Sequence, residues 1–101
     1  MNKFYVEKPL LPKGVANQLT RAVKKVHEEM TWTITSNHEG TWLKTTLCMH
    51  GMCGHYGWEK ERLLSKTSNS TQVIDYAVLD AERLVMRYKR QDEPDFEADR
   101  G

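Results

Sequence analysis

Two segments of the chain place their apolar residues at the spacing of an α-helix. The first runs from Gly14 to Met30, and the second runs from about Thr71 to Arg90, where Asn69 followed by Gln72 is typical of a capping box at a helix start. The sequence therefore predicts two amphipathic helices. The apolar stripe of the first helix is Val15, Leu19, Ala22, Val23, Val26 and Met30, and that of the second is Val73, Ile74, Ala77, Val78, Ala81, Leu84, Val85 and Tyr88.

The residues between these helices alternate between two faces, as expected for β-strands. Residues 31–36 place Trp32 and Ile34 on one face and threonines on the other, and a second strand is predicted over residues 41–48. Residues 37–40 have turn chemistry, so the two strands form a hairpin in which we expect Trp32 and Trp42 to approach each other. Tyr56 to Leu64 fits a third strand or a short helix.

These elements predict an α+β fold in which two amphipathic helices pack on one face of a small antiparallel sheet. The sheet is a hairpin or has three strands, in the order α-β-β-(β)-α, and residues 1–90 form a single domain. Residues 91–101 contain five acidic residues and one arginine, a net charge of −4, and are expected to be a flexible acidic C-terminal tail. Since the whole chain carries +1, residues 1–90 carry +5.

The amino-acid composition is typical of a folded domain and predicts no membrane span. The chain has 101 residues, of which 39% are hydrophobic and 29% are charged, as in an ordinary folded domain. Its apolar runs are far shorter than the roughly 20 residues that span a bilayer, so no membrane association is expected. The N-terminus lacks the apolar core of a secretory signal, which predicts a cytoplasmic protein. In that compartment two cysteines are thiols or metal ligands rather than a disulfide.

Residues 47–58 concentrate the reactive side chains of the chain. Cys48, His50, Cys53 and His55 are ligand types that zinc prefers, and Gly51 and Gly54 permit the sharp turns that a four-ligand loop needs. Structural zinc sites usually join two ligand pairs separated by a dozen or more residues, and that spacing is missing here. A Gly-rich loop with two free thiols and no cofactor is therefore favoured, with zinc as the alternative.

Enzymatic catalysis and nucleic-acid binding are less favoured by the sequence than simple packing of the same residues. A nucleophilic cysteine needs an aligned base, and histidines adjacent in sequence rarely provide one, so the chain is predicted not to be an enzyme. Nucleic-acid binding would use an aromatic and basic platform on one sheet face, although a net charge of +1 does not favour it. The platform residues would be Trp32, Trp42, Lys44, Tyr56, Trp58, Lys60 and Arg62.

The favoured hypothesis is a small non-catalytic cytoplasmic protein that binds another macromolecule, most simply a protein, and regulates or inhibits it. Methionine side chains adapt to partner surfaces, and an acidic tail can pair with a basic groove. The small size and mixed charge resemble those of accessory proteins of bacteriophages and other mobile elements. The predicted partner-binding residues are Met49, Met52, Tyr56, Trp58, Asp92, Glu93 and Asp95.

Overall fold

The computed structural model describes residues 13–51, 54–65 and 68–99, and over these it has two helices and a four-stranded sheet. The fold is mixed α and β, as the sequence predicts, with one strand more than expected. Within the described residues, no helix is long and apolar enough to cross a membrane. In chain order the elements are α1 (Lys13–Val26), β1 (Met30–Asn37), β2 (Gly40–Gly51), β3 (Gly54–Leu64), α2 (Ser70–Lys89) and β4 (Phe96–Asp99).

The helix ends show which local signals decided their positions. The capping box of α2 is confirmed, because Asn69 Oδ1 accepts from the Gln72 N–H and Gln72 Oε1 accepts from the Asn69 N–H. Helix α1 ends at Val26, so the prediction that it continues to Met30 is wrong. A turn follows in which His27 Nδ1 accepts from the Glu29 N–H, and Met30 then begins β1.

All four strands are antiparallel and follow chain order, β1-β2-β3-β4. Tyr56 to Leu64, which fits either a strand or a helix by its pattern, is part of β3. The second strand of each of the first two hairpins begins with a glycine at φ +139°, Gly40 in β2 and Gly54 in β3. That backbone region is open only to glycine at low cost, so these two residues fix where the strands reverse.

The helices cover one face of the sheet, and the core lies between them. Paired residues share a face, so Trp32 opposite Thr45 and Trp42 opposite Thr35 lie on opposite faces. The prediction that the two tryptophans approach each other is therefore wrong. The buried hydrophobic residues come from both helices and three strands: Leu19, Val23, Met30, Ile34, Leu43, Leu47, Trp58, Leu64, Val73, Ala77, Ala81 and Leu84.

The fourth strand lies in the segment for which the sequence predicts a flexible acidic tail. Phe96–Asp99 pairs with the first residues of β3, and Phe96 stands opposite Gly57. A Cβ at Gly57 would meet the Leu47 carbonyl oxygen and would lie 2.8 Å from Phe96 Cζ. The missing side chain of Gly57 thus makes room for the Phe96 ring, and the described part of the tail, residues 91–99, is structured.

Candidate functional site

The described residues on both sides of Cys53 belong to the paired strands β2 and β3, and Cys48 lies in β2. Gly51 pairs with Gly54, and Met52 and Cys53 between them lie outside the described residues. The prediction of a Gly-rich loop is therefore wrong over residues 48–51 and 54–58, which belong to β2 and β3. Strand pairing fixes the side chains of this segment on alternate faces of the sheet.

Two of the four predicted zinc ligands stand directly opposite each other. His50 pairs with His55, and their ring centroids are 4.5 Å apart in an edge-to-face arrangement. Cys48, two residues before His50, is on the same face, half-buried and not disulfide-bonded. In the described part of the chain no group of three or more His, Cys, Asp or Glu side chains is placed to hold a metal ion. Zinc binding stays a prediction.

The residues expected to form a nucleic-acid platform do not share one surface. Lys44 pairs with Glu61 on the face not covered by the helices, where Trp42 also lies, and its ammonium is 3.3 Å from the Glu59 carboxylate. Trp32, Tyr56, Trp58, Lys60 and Arg62 project from the opposite face.

The aromatic residues of β3 instead form a cluster with the end of α2. The ring of Trp58 is 5.8 Å from that of Tyr56 and 5.7 Å from that of Tyr88, both edge-to-face. Trp58 is only 2% exposed, so it is a core residue whose replacement would disturb the fold rather than a free contact residue. Its indole Nε1–H donates to the Glu93 carbonyl oxygen at 3.2 Å, which ties β3 to the segment after α2.

Asp95 holds the segment after α2 in place through contacts with three residues. Its N–H donates to the Gly57 carbonyl oxygen at 2.8 Å, and its carboxylate accepts from the Glu59 N–H at 3.0 Å. The Arg87 guanidinium makes a two-pronged contact with the same carboxylate, at 2.9 and 3.1 Å. The Arg87 contact, followed by the Glu59 N–H, holds the pKa of Asp95 below its ordinary value. Of the acidic residues predicted to contact a partner, Asp95 therefore has a structural role through its carboxylate, and Glu93 contributes its backbone carbonyl.

A surface cleft of about 550 Å³ opens beside this cluster. We call it the aromatic cleft. Its rim carries Lys89 and Asp92, and the hydrogen bond from the Arg90 guanidinium, 2.7 Å from Asp92 Oδ2, lowers the pKa of that carboxyl below its ordinary value. Gln91, at φ +59°, turns the chain back over the sheet directly after α2. The residues that line the cleft are Tyr56, Trp58, Tyr88, Lys89, Gln91, Asp92 and Pro94.

The structure thus brings together several of the predicted partner-binding residues. Tyr56, Trp58 and Asp92 line the aromatic cleft, while Met49 pairs with Tyr56 and packs against the core. Met52 lies outside the described residues. Tyr88 and Lys89 also line the aromatic cleft but were not predicted as site residues, although they lie in the last turn of α2. Their placement depends on the Gln91 turn and on β4, which no local pattern predicted.

No protein-family model, no curated protein and no solved structure matches this chain. Its function must therefore be inferred from the geometry of the molecule itself.

Proposed function

We propose that this protein is a non-catalytic cytoplasmic binding module that regulates or inhibits another protein. It binds a protruding segment of that protein in the aromatic cleft. The observation that carries the proposal is the cleft of about 550 Å³, which is lined by the half-buried rings of Tyr56 and Tyr88 and the largely buried Trp58, beside one cationic and one anionic rim residue. Clefts of this size hold small ligands and anchor side chains, and Tyr and Trp dominate the binding energy of protein interfaces.

Hydrogen bonds within the protein hold the residues around the cleft in place without a partner. The Trp58 indole is hydrogen-bonded to the Glu93 carbonyl, and Arg87 joins α2 to Asp95. A preformed surface loses little conformational entropy on binding, so more of the contact energy contributes to affinity. Lys89 and Asp92 on the rim are suited to orient polar groups beside an apolar anchor residue of the partner.

Parallel affinity capture from host-cell extract, with quantitative mass spectrometry, tests the proposal. The baits are the wild type, Lys89→Glu, Tyr56→Ala and the matched control Arg83→Glu, an exposed α2 residue outside the cleft. We expect one protein to be retained by the wild type and the control but depleted at least fivefold, on the order of 1 kcal/mol, by both cleft variants. The purified partner should then bind with the same order of affinities in calorimetry.

Equal retention by all four baits would contradict the proposal, and so would retention that is lost with Arg83→Glu alone. Far-UV circular dichroism and thermal unfolding of each variant are recorded first. A cleft variant whose unfolding temperature falls below the capture temperature is replaced by Gln91→Ala, which changes an exposed residue of the cleft.

A second candidate function is zinc binding at the β2–β3 hairpin. It is favoured by one observation, the His50 and His55 rings at 4.5 Å, with Cys48 on the same face. Zinc accepts imidazole and thiolate ligands together. We expect His50→Ala and His55→Ala each to remove zinc binding, measured by calorimetric titration of metal-free protein. His38→Ala, on the β1–β2 turn, is the matched control, and unchanged zinc affinity in all three variants would refute this role.

A further inference from the structure

In the part of the chain that the structure describes, the outer edge of β1 has few of the features that normally prevent strand addition. Within the described residues, β1 pairs only with β2, so one side of Met30–Asn37 is an open sheet edge. These eight residues include no charged side chain and no proline. Proteins usually protect an exposed edge with short strands, charges, prolines or bulges. The opposite edge is formed by β4, which has four residues and carries acidic side chains, and by residues 58–64 of β3, which include four charged side chains.

The directions of the peptide groups in β1 follow from its first residue. The Met30 N–H donates to the His27 carbonyl oxygen at 3.0 Å, and the Met30 carbonyl accepts from Lys24 Nζ at 3.1 Å. Both partners lie outside the sheet, so the peptide groups of Met30 point away from β2. In an antiparallel pair this direction alternates along the strand. The peptide groups that face the open edge are therefore those of Trp32, Ile34 and Ser36.

A groove runs between this edge and α1. It holds about 250 Å³ and is lined by Thr20 and Lys24 of α1 and by Met30, Thr31 and Trp32 of β1. We call it the edge groove. The Trp32 indole Nε1–H donates to Thr20 Oγ1 at 2.9 Å, which fixes the half-buried ring as an apolar wall. An extended chain lying on the β1 edge would place alternate side chains against this wall.

The charge on α1 indicates which side chains such a chain should carry. Residues 13–26 contain four basic residues and no acidic one. Lys24 Nζ already donates to the carbonyl oxygens of Glu28 and Met30, and an ammonium has three N–H donors, so one is left for a ligand. A second copy of this chain would bring another basic α1 close to the first, which disfavours self-pairing.

We propose that the edge groove binds an extended acidic segment of another protein, which adds to β1 as a fifth strand. Its backbone pairs with Trp32, Ile34 and Ser36, and an acidic side chain on the helix side meets Lys24. This role goes beyond the aromatic cleft, because β1 and β4 are opposite edges of the sheet. The two surfaces can be tested separately.

The probe is a fluorescein-labelled eight-residue peptide of alternating valine and glutamate. A peptide of valine and lysine and an acidic peptide with proline at alternate positions are the matched controls. We expect the first peptide alone to bind in fluorescence anisotropy. Hydrogen exchange by NMR should then slow at the amides of Trp32, Ile34 and Ser36, while the amides of Thr33 and Thr35, already directed at β2, should not change.

Lys24→Glu should weaken binding of the acidic peptide about three- to tenfold, and Arg83→Glu should leave it unchanged. Equal binding of the acidic and basic peptides, or binding without the alternating protection in β1, would overturn the proposal. A dimer in sedimentation velocity whose Trp32, Ile34 and Ser36 amides are protected without peptide would also overturn it, because β1 would then be an interface between copies. Loss of cleft binding in Lys89→Glu would leave this result unaffected.

Discussion

At the scale of single residues, two buried polar groups show what the fold tolerates. Thr45 is fully buried on the helix-covered face of β2, and its Oγ1 has no hydrogen-bond partner among the described residues. Asp80 of α2 is equally buried but is held by Arg62 of β3, at 2.7 and 3.1 Å. The guanidinium also lies 4.6 Å from the Tyr76 ring centroid, and Asp80 raises the pKa of Arg62 above its ordinary value. Burial of the Thr45 hydroxyl therefore lowers the stability of the fold, whereas the cost of burying the Asp80 carboxylate is offset by its contacts with Arg62.

Replacing Thr45 with Val should raise the free energy of unfolding by about 1 kcal/mol, because a buried hydroxyl without a partner is exchanged for a methyl of the same shape. Urea unfolding followed by circular dichroism measures the change. Thr33→Val, at an exposed position of β1, is the matched control and should stay within about 0.5 kcal/mol of the wild type. A Thr45→Val protein less stable than the wild type would show that the hydroxyl has a partner.

Removing one member of the buried ion pair should cost more than removing both. Arg62→Met should lower the free energy of unfolding by about 3 kcal/mol, because it leaves the Asp80 charge buried without compensation. Adding Asp80→Leu to that variant should restore most of the loss, since two apolar side chains can pack in the same space. Urea unfolding of the two variants decides the point. A double variant less stable than Arg62→Met alone would contradict this description of the pair.

At the scale of elements, the sequence predicted the parts that depend on local periodicity and missed those that depend on distant contacts. Both helices and the first hairpin follow from apolar spacing, and the Asn69–Gln72 capping box sets the start of α2. The pairing of β4 depends on Gly57, which lies 39 residues before Phe96 in the sequence. Because Gly57 has no side chain, the Phe96 ring can occupy the space beside it. No local pattern contains that information, so the acidic composition of residues 91–101 alone predicts a flexible tail.

The same limit applies to the candidate site. The chemistry of Tyr56, Trp58 and Asp92 predicts that they bind a partner, and the structure places them around one cleft. The sequence pattern places Tyr88 on the apolar face of the second helix and gives no sign of a binding role for Lys89, because their position beside β3 becomes clear only when the chain turns at Gln91. Residue type therefore indicates part of the candidate site, and the other residues of the cleft become apparent only from the tertiary structure.

The anchoring of the segment between α2 and β4 should depend on pH. The Arg87 contact holds the pKa of Asp95 below its ordinary value of 3.8 in the folded state. The unfolded chain therefore takes up a proton at a higher pH than the folded one. The contribution of this contact to stability is complete above about pH 5 and is lost as the pH falls towards the lowered folded pKa.

Asp95→Asn should consequently be less stable than the wild type at pH 7, and the difference should shrink as the pH is lowered through about 4. Urea midpoints at several pH values measure this. Glu82→Gln, at an exposed position of α2, should keep a nearly constant difference from the wild type over the same range. A stability difference for Asp95→Asn that does not change with pH would show that the Arg87 contact contributes nothing.

At the scale of the whole molecule, the two edges of one sheet differ in length and charge, and the two proposed binding surfaces follow from that difference. At the β4 edge, acidic residues and Arg87 fix the segment that closes the aromatic cleft. At the β1 edge, a neutral strand lies beside a basic helix. A module of this kind can contact a partner at both edges of the sheet. The second contact then forms with higher apparent affinity, because the first contact raises the local concentration of the partner.

Site-specific photocrosslinking in the host cell tests most directly whether a partner protein binds in the aromatic cleft. A p-benzoylphenylalanine at position 56 replaces a half-buried ring of the cleft, and the same residue at position 79 replaces Leu79, 40% exposed on α2 outside it. We predict that the photoreactive group at position 56 crosslinks one protein that the group at position 79 does not. Crosslinking of that protein from position 79 and not from position 56 would show that the partner binds elsewhere.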